Sequence, residues 1–151
     1  VGAVVYYYLL NSRIKDISFK LEDALSFEGN TGPYAQYTYA RACSILSKTD
    51  AIPSSGECFG FSVSLPEREL LLVLSFFPER IKYALAEYEP SIITRYIYEL
   101  CSAFNKFYHD CPIVGAETSE QKAFRLRIVA AVKNVLGNAL SLICMRTPEK
   151  I

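Results

Sequence analysis

The chain of 151 residues has no tryptophan, one methionine and one histidine, and no surplus of charge, with 16 basic residues set against 16 acidic ones. Each scarcity excludes something. The only imidazole is His109, and the five cysteines (Cys43, Cys58, Cys101, Cys111 and Cys144) include no pair spaced as CxxC. No zinc-ligand pattern can be drawn from that set, and the cysteines read as reduced, mostly buried thiols of a cytoplasmic protein. A single histidine at a helix end also supports no Ser/His/Asp or Cys/His nucleophile. Zero net charge argues against indiscriminate nucleic-acid binding, which goes with strongly basic domains. Long apolar runs are missing too. Residues 1–10 are apolar over about half the length of a membrane span. Asn11, Arg13, Lys15 and Asp16 follow closely, with no basic segment in front, so neither a membrane helix nor a signal peptide is expected. Gly29 and Gly32 lack the Gly-Lys-Ser/Thr of a phosphate loop.

What is present is a chain of one domain's size with hydrophobic types at 51% and a mean hydropathy of +0.15, enough for one sizeable core. The first residue is Val1 and the apolar pattern begins at once, which points to a piece excised from a longer chain. The charge is unevenly spread. Residues 112–151 hold six basic side chains (Lys122, Arg125, Arg127, Lys133, Arg146, Lys150) against three acidic ones (Glu117, Glu120, Glu149). A basic face at the C-terminal end is one reading of that imbalance, and an ordinary solvated helix face is the other.

Helical periodicity dominates. Helices are expected over residues 2–13, 21–27, 33–48, 66–77, 78–88, 91–108 and 119–143. Gly29 suits a positive φ, Asn30 or Thr31 a cap, and Pro33 a first helical turn. Pro78 and Pro90 each end one helix and begin another, and Ser64 can cap the helix after it. Glu67 and Glu69 sit at a helix start, where the dipole favours acids. Residues 49–64 read as a surface loop, with a weak strand candidate at 59–64. In the sixth helix Ile92, Ile93, Tyr96, Ile97, Leu100, Phe104 and Phe107 form a core stripe. In the seventh the expected stripe is Phe124, Ile128, Ala131, Val132, Val135, Ala139 and Leu142. The fold class is therefore all-α, a single-domain helical bundle of about six to seven helices.

More specific than periodicity is Phe27-Glu28-Gly29-Asn30-Thr31-Gly32-Pro33-Tyr34-Ala35-Gln36-Tyr37-Thr38-Tyr39-Ala40-Arg41. It resembles the FEGNTGPYxQYxxAR run of arginyl-tRNA synthetases, near the start of their C-terminal, all-helical anticodon-binding (DALR) domain. Further matches follow in order. Residues 104–113, FNKFYHDCPI, resemble FNxFYxxCPIL; Phe124-Arg125-Leu126 resembles xxRL in the last helix; and Thr147-Pro148-Glu149-Lys150-Ile151 resembles TPExM. Gly2-Ala3-Val4, Asp16 and Phe19 also fit. The sequence departs from the family at Cys144, where Gly is usual, and at Ile151, where Met is usual. Both fall in the segment the family sends toward the anticodon loop.

The resemblance implies a module that docks the anticodon stem and loop of arginine tRNA beside the catalytic domain of the same chain, in the cytoplasm and as a monomer. The parent enzyme would charge that tRNA with arginine, using ATP and Mg2+. The catalytic runs of the class, a His-Ile-Gly-His type motif and its lysine-bearing partner loop, do not occur here. The piece itself is expected to bind, without a cofactor or metal of its own. The other reading kept open is a helical protein-interaction domain that shares only the bundle patterning.

The residues themselves nominate places for RNA. Anticodon bases can be splayed out, stacked on aromatic faces and hydrogen-bonded at their edges, with Lys and Arg on phosphates. There are 11 Tyr and 9 Phe. Tyr34, Tyr37, Arg41 and Lys48, at i, i+3, i+7 and i+14, share a helix face; alternatively the tyrosines belong to the core and the charges to its rim. Tyr108 and His109 end a helix at a proline-bearing loop, and the resemblance sets that junction near the anticodon; His109 also suits a plain C-terminal cation. Arg127, Asn134, Asn138 and Ser141 lie opposite the expected core stripe, as RNA readers or as an exposed polar face. Arg125 enters through the family motif and could instead be an intramolecular ion-pair partner. Arg146, Lys150 and Ile151 enter by resemblance alone.

Overall fold

The structure, a computed structural model, describes residues 1–49, 60–113 and 115–150. Most of the expected 49–64 loop therefore lies outside the described residues. So does Phe59 of the strand candidate, and residues 60–64 form neither helix nor strand. Seven helices are described: α1 (Gly2–Leu9), α2 (Leu21–Leu25), α3 (Gly32–Ser47), α4 (Leu65–Ser75), α5 (Phe77–Ala86), α6 (Ser91–Asp110) and α7 (Ser119–Leu142). None is long and apolar enough to cross a membrane.

The helix boundaries follow from local chemistry. Gly29 takes φ +79, in the left-handed region that side chains avoid, and so turns the chain out of α2. The Thr31 hydroxyl accepts from the Tyr34 N–H at 3.3 Å, and Pro33 supplies a preset φ in the first turn of α3. At α4 the Glu67 carboxylate reaches back to accept from the Ser64 N–H at 2.7 Å. Only Phe76 separates α4 from α5, where Pro78 opens the next helix. α5 and α7 both close with a pair of reversed backbone bonds. Glu89 N–H donates to Ala84 O and Tyr88 N–H to Leu85 O; Met145 N–H donates to Leu140 O and Cys144 N–H to Ser141 O. This closure sets the residue after the cap in the left-handed region, here Tyr88 (φ +51) and Cys144 (φ +58), where glycine is the usual occupant.

α6 is the central helix, packed against α1, α3, α4, α5 and α7. Its seven expected stripe residues are all buried. The last helix departs from expectation. Of its expected stripe Ile128, Val132 and Ala139 are buried, Phe124 and Val135 are partly buried against the core, and Leu142 is 54% exposed; the buried line also takes in Arg125, Val129, Leu136 and Leu140. Apolar residues occupy more than one face of α7, and the buried surface contains an arginine, so the apolar pattern alone names only part of that surface.

That arginine is a correction in its own right. Arg125, a candidate for RNA contact with an intramolecular ion pair as the alternative, takes the alternative: it is 7% exposed and lies inside the bundle. Its Nε donates to Glu67 Oε1 at 2.7 Å and its Nη1 donates to the Pro112 carbonyl at 2.7 Å. Glu67 is fully buried, so it is the charge partner that makes Arg125 tolerable in the core, beyond being an acid placed at a helix start. Burial pushes the Glu67 carboxyl up, but the hydrogen bonds from Arg125 and from Ser64 outweigh it and hold the group below its ordinary range.

The glycine-bearing run before α3 serves the packing of α1. A Cβ on Gly32 would sit 3.1 Å from the Ala3 backbone, the Tyr6 Cβ and the Met145 Cε. The buried Tyr6 hydroxyl donates toward Asn30 Oδ1 (2.7 Å) and the Thr94 carbonyl (3.1 Å), and burial raises its pKa. The motif thereby joins α1 and α6, and Met145 of the C-terminal tail packs against it.

Candidate nucleic-acid interface

Along one side of the bundle α3, the C-terminal end of α6, the loop after it and the C-terminal tail enclose a groove of about 970 Å³. α3 contributes Tyr37, Arg41 and Ser44, and Lys48 follows at its C-cap, each about one turn from the next along one face. α6 contributes Tyr108 and His109, the loop Pro112, Ile113 and Gly115, and the tail Glu149 and Lys150. The tail is tied down. Gln36 Nε2 donates to the Arg146 carbonyl at 2.8 Å, Met145 is buried, and Lys133 lies 3.8 Å from Glu149.

The centre of the site is Arg41. Its guanidinium carbon lies 4.7 Å from the centroid of the Tyr37 ring and 5.3 Å from that of Tyr108. Each ring offers its electron-rich face to the cation. Nη1 donates to Asn105 Oδ1 at 2.8 Å and Nη2 to the Tyr37 hydroxyl at 3.1 Å. Asn105 in turn donates from Nδ2 to the Tyr34 hydroxyl at 2.7 Å. Tyr37 and Tyr108 remain 45% and 44% exposed, so ring surface is left for a planar ligand. Chemically this is a stacking platform with a fixed cation, flanked by the cations Lys48 and Lys150. Among the described residues the one carboxylate lining it, Glu149, is beside Lys133.

The structure sorts the nominated residues. It brings Tyr37, Arg41, Tyr108 and Lys150 together at the groove. Tyr34 stands behind them, half-buried, with its hydroxyl held by Asn105. Arg146 is exposed beside the groove's tail wall, and it is its backbone that contacts α3. Asn134 and Asn138 are exposed on α7 and do not line the groove; Arg127 is half-buried on the same helix. Arg125 is withdrawn to the core, as above. Ile151 lies outside the described residues. His109 is exposed, with Nδ1 2.8 Å from Asp110 Oδ1. Among the described residues no three His, Cys, Asp or Glu side chains gather as a metal would need.

Asn105 was missed by the sequence reading, although a signal was available. It stands three residues before Tyr108 in the same helix, the spacing that puts two side chains on neighbouring ridges, directly after the buried Phe104.

Comparison with known proteins gives this arrangement its class. The profile of the DALR anticodon binding domain matches residues 35–151. Over all 151 residues the chain is 45% identical to an arginine–tRNA ligase of Clostridioides difficile and 46% identical to one of Alkaliphilus metalliredigens. It spans 26% of the length of each. Among solved structures, the arginyl-tRNA synthetase of Thermus thermophilus superposes with a TM-score of 0.87 at 31% identity, over 99% of this chain and 26% of that one. That of Plasmodium falciparum does so with a TM-score of 0.84 at 29% identity, again over 99% and 26%. The chain belongs to the DALR anticodon binding domain family.

Proposed function

We propose that the groove binds the anticodon stem-loop of arginine tRNA, and that the chain serves as the tRNA-selecting part of an ATP-dependent arginine–tRNA ligase, alongside that enzyme's catalytic domain. The observation that carries the reading is Arg41, held between the half-exposed rings of Tyr37 and Tyr108 at the lip of a groove that also presents Lys48 and Lys150. Unpaired RNA bases are bound by such stacking surfaces, while lysines take the phosphates between them. The family and its arginine–tRNA ligase relatives support the identity of the RNA. Apolar side chains left exposed on α2 and just after it, Leu21, Leu25 and Phe27, support a docking surface for the rest of a longer chain.

The test is a titration of labelled arginine-tRNA anticodon stem-loop, and of one with altered anticodon bases, into the wild-type chain and into Tyr108→Ala. Wild type should prefer the unaltered loop. Tyr108→Ala should bind about tenfold more weakly, since one stacked base contributes about 1–3 kcal/mol, and should lose most of the preference. Equal binding of both loops by wild type would refute the assignment.

A further inference from the structure

We propose that Asn105 is the positioning residue of the groove: it fixes the Arg41 guanidinium between the Tyr37 and Tyr108 rings, so that Arg41 meets an unpaired base as an oriented hydrogen-bond donor. The inference rests on the RNA-binding reading above and adds to it the origin of base selection.

The amide is suited to this in a way few side chains are. A guanidinium has five N–H donors and no acceptor, so only the carbonyl end of Asn105 can face it. That is the contact seen, Nη1 to Oδ1 at 2.8 Å. The other end of the amide must then donate, and the Tyr34 hydroxyl 2.7 Å away accepts. Tyr34 is half-buried, with its ring 6.1 Å from that of Tyr98. A short chain of bonds therefore leads from a packed ring, through Asn105, to a side chain at the groove surface. Arg41 would otherwise have several free torsions, and holding them in advance lowers the entropy lost on binding. Two of the five donors are used, by Asn105 and by the Tyr37 hydroxyl. The remaining three have no partner among the described residues, and two parallel N–H groups match paired acceptors on a base edge. Lys48 and Lys150, which have no such support among the described residues, suit phosphates, where direction matters little.

The chemistry separates two quantities. Removing the Asn105 amide leaves the charge of Arg41 in place, so attraction to phosphates persists while the orientation is lost. Asn105→Leu, close in volume, should lower the preference for the unaltered over the altered anticodon loop by about tenfold, the loss expected for one oriented bidentate contact. The salt dependence of binding should stay at the wild-type value. Arg41→Lys, which keeps the charge and loses the plane, should do the same. The double variant Asn105→Leu/Arg41→Lys should discriminate no worse than Arg41→Lys alone, because both changes act through one guanidinium. A residue that merely supported the fold would give losses that multiply. Thermal unfolding checks that each variant is folded. Should Asn105→Leu not fold, Tyr34→Phe removes the hydroxyl that anchors the amide and enters the same cycle with Arg41→Lys. Retained discrimination in Asn105→Leu, or multiplying losses in the cycle, overturns the role of Asn105 while wild-type preference stands. Absence of any wild-type preference overturns the RNA reading itself, and this inference with it.

Discussion

Cys144 holds a backbone conformation that its side chain opposes. At φ +58 an L-residue brings Cβ toward its own carbonyl, at a cost of about 1–2 kcal/mol, whereas glycine has no such penalty. The reversed bonds from Met145 to Leu140 and from Cys144 to Ser141 require that conformation, and the buried contacts of Met145 enforce it. The Cys144 side chain is exposed, so its removal loses little packing. Cys144→Gly should therefore stabilise the protein by about 1 kcal/mol, seen as a rise of about 2–4 °C in Tm by calorimetry. An unchanged or lower Tm would show that the strain is relieved elsewhere. This departure from the family pattern was legible in the sequence, but its mechanism was not, because φ is set by how the tail is anchored. The same limit applies at the groove. Tyr37, Arg41 and Tyr108 could be nominated from type and spacing. The spacing of Asn105 to Tyr108 could have nominated it, but its role follows only from the contact of α3 with α6, since its two partners lie 64 and 71 positions away.

The elements were more legible than their faces. Helix starts at α3, α4 and α7 follow from Thr31, Ser64 and Thr118, side chains whose local chemistry needs no tertiary partner. The part of the α7 surface that the apolar pattern does not name includes Arg125, whose buried carboxylate partner lies 58 positions earlier. This pair joins three elements, since Arg125 also holds the Pro112 carbonyl of the loop that walls the groove. Arg125→Met should destabilise the fold by about 3–5 kcal/mol, as it leaves the Glu67 carboxylate buried without its cation. The double variant Arg125→Met/Glu67→Gln should recover part of that loss in chemical denaturation. The pair also carries a pH signature. The folded Glu67 carboxyl is held below its ordinary value of 4.5, to which it returns in the unfolded chain. Its contribution is thus complete above the unfolded value and is lost as pH falls through the folded one. The Tm difference between wild type and Glu67→Gln should be constant from pH 7 to about 5 and shrink on further acidification. A difference that grows in acid would contradict the assigned direction.

At the scale of the whole molecule, zero net charge and RNA binding are compatible because the charges are partitioned. Four carboxylates are held in pairs away from the groove, Glu99 with Arg80, Glu79 with Lys82, Glu69 with Lys106 and Glu67 with Arg125, and Asp110 is paired with His109 at its edge. At the groove Arg41, Lys48 and Lys150 stand together, and Glu149 is close to Lys133. Long-range steering by the molecule's overall field should therefore be weak, and the salt dependence should report local contacts alone. Lys48 and Lys150 meeting the phosphates of a single-stranded loop give a slope of log K against log salt of about −1.4, at about −0.7 for each phosphate neutralised. Lys48→Ala should make that slope shallower by about 0.7 while leaving the preference between anticodon loops unchanged, because a lysine on a phosphate carries no sequence information. Tyr108→Ala should do the reverse, keeping the slope and losing the preference. If Lys48→Ala erased the preference and left the slope intact, the division of labour between the lysines and the tyrosine–arginine platform would be wrong, and base reading would have to be sought along the Lys48 wall of the groove.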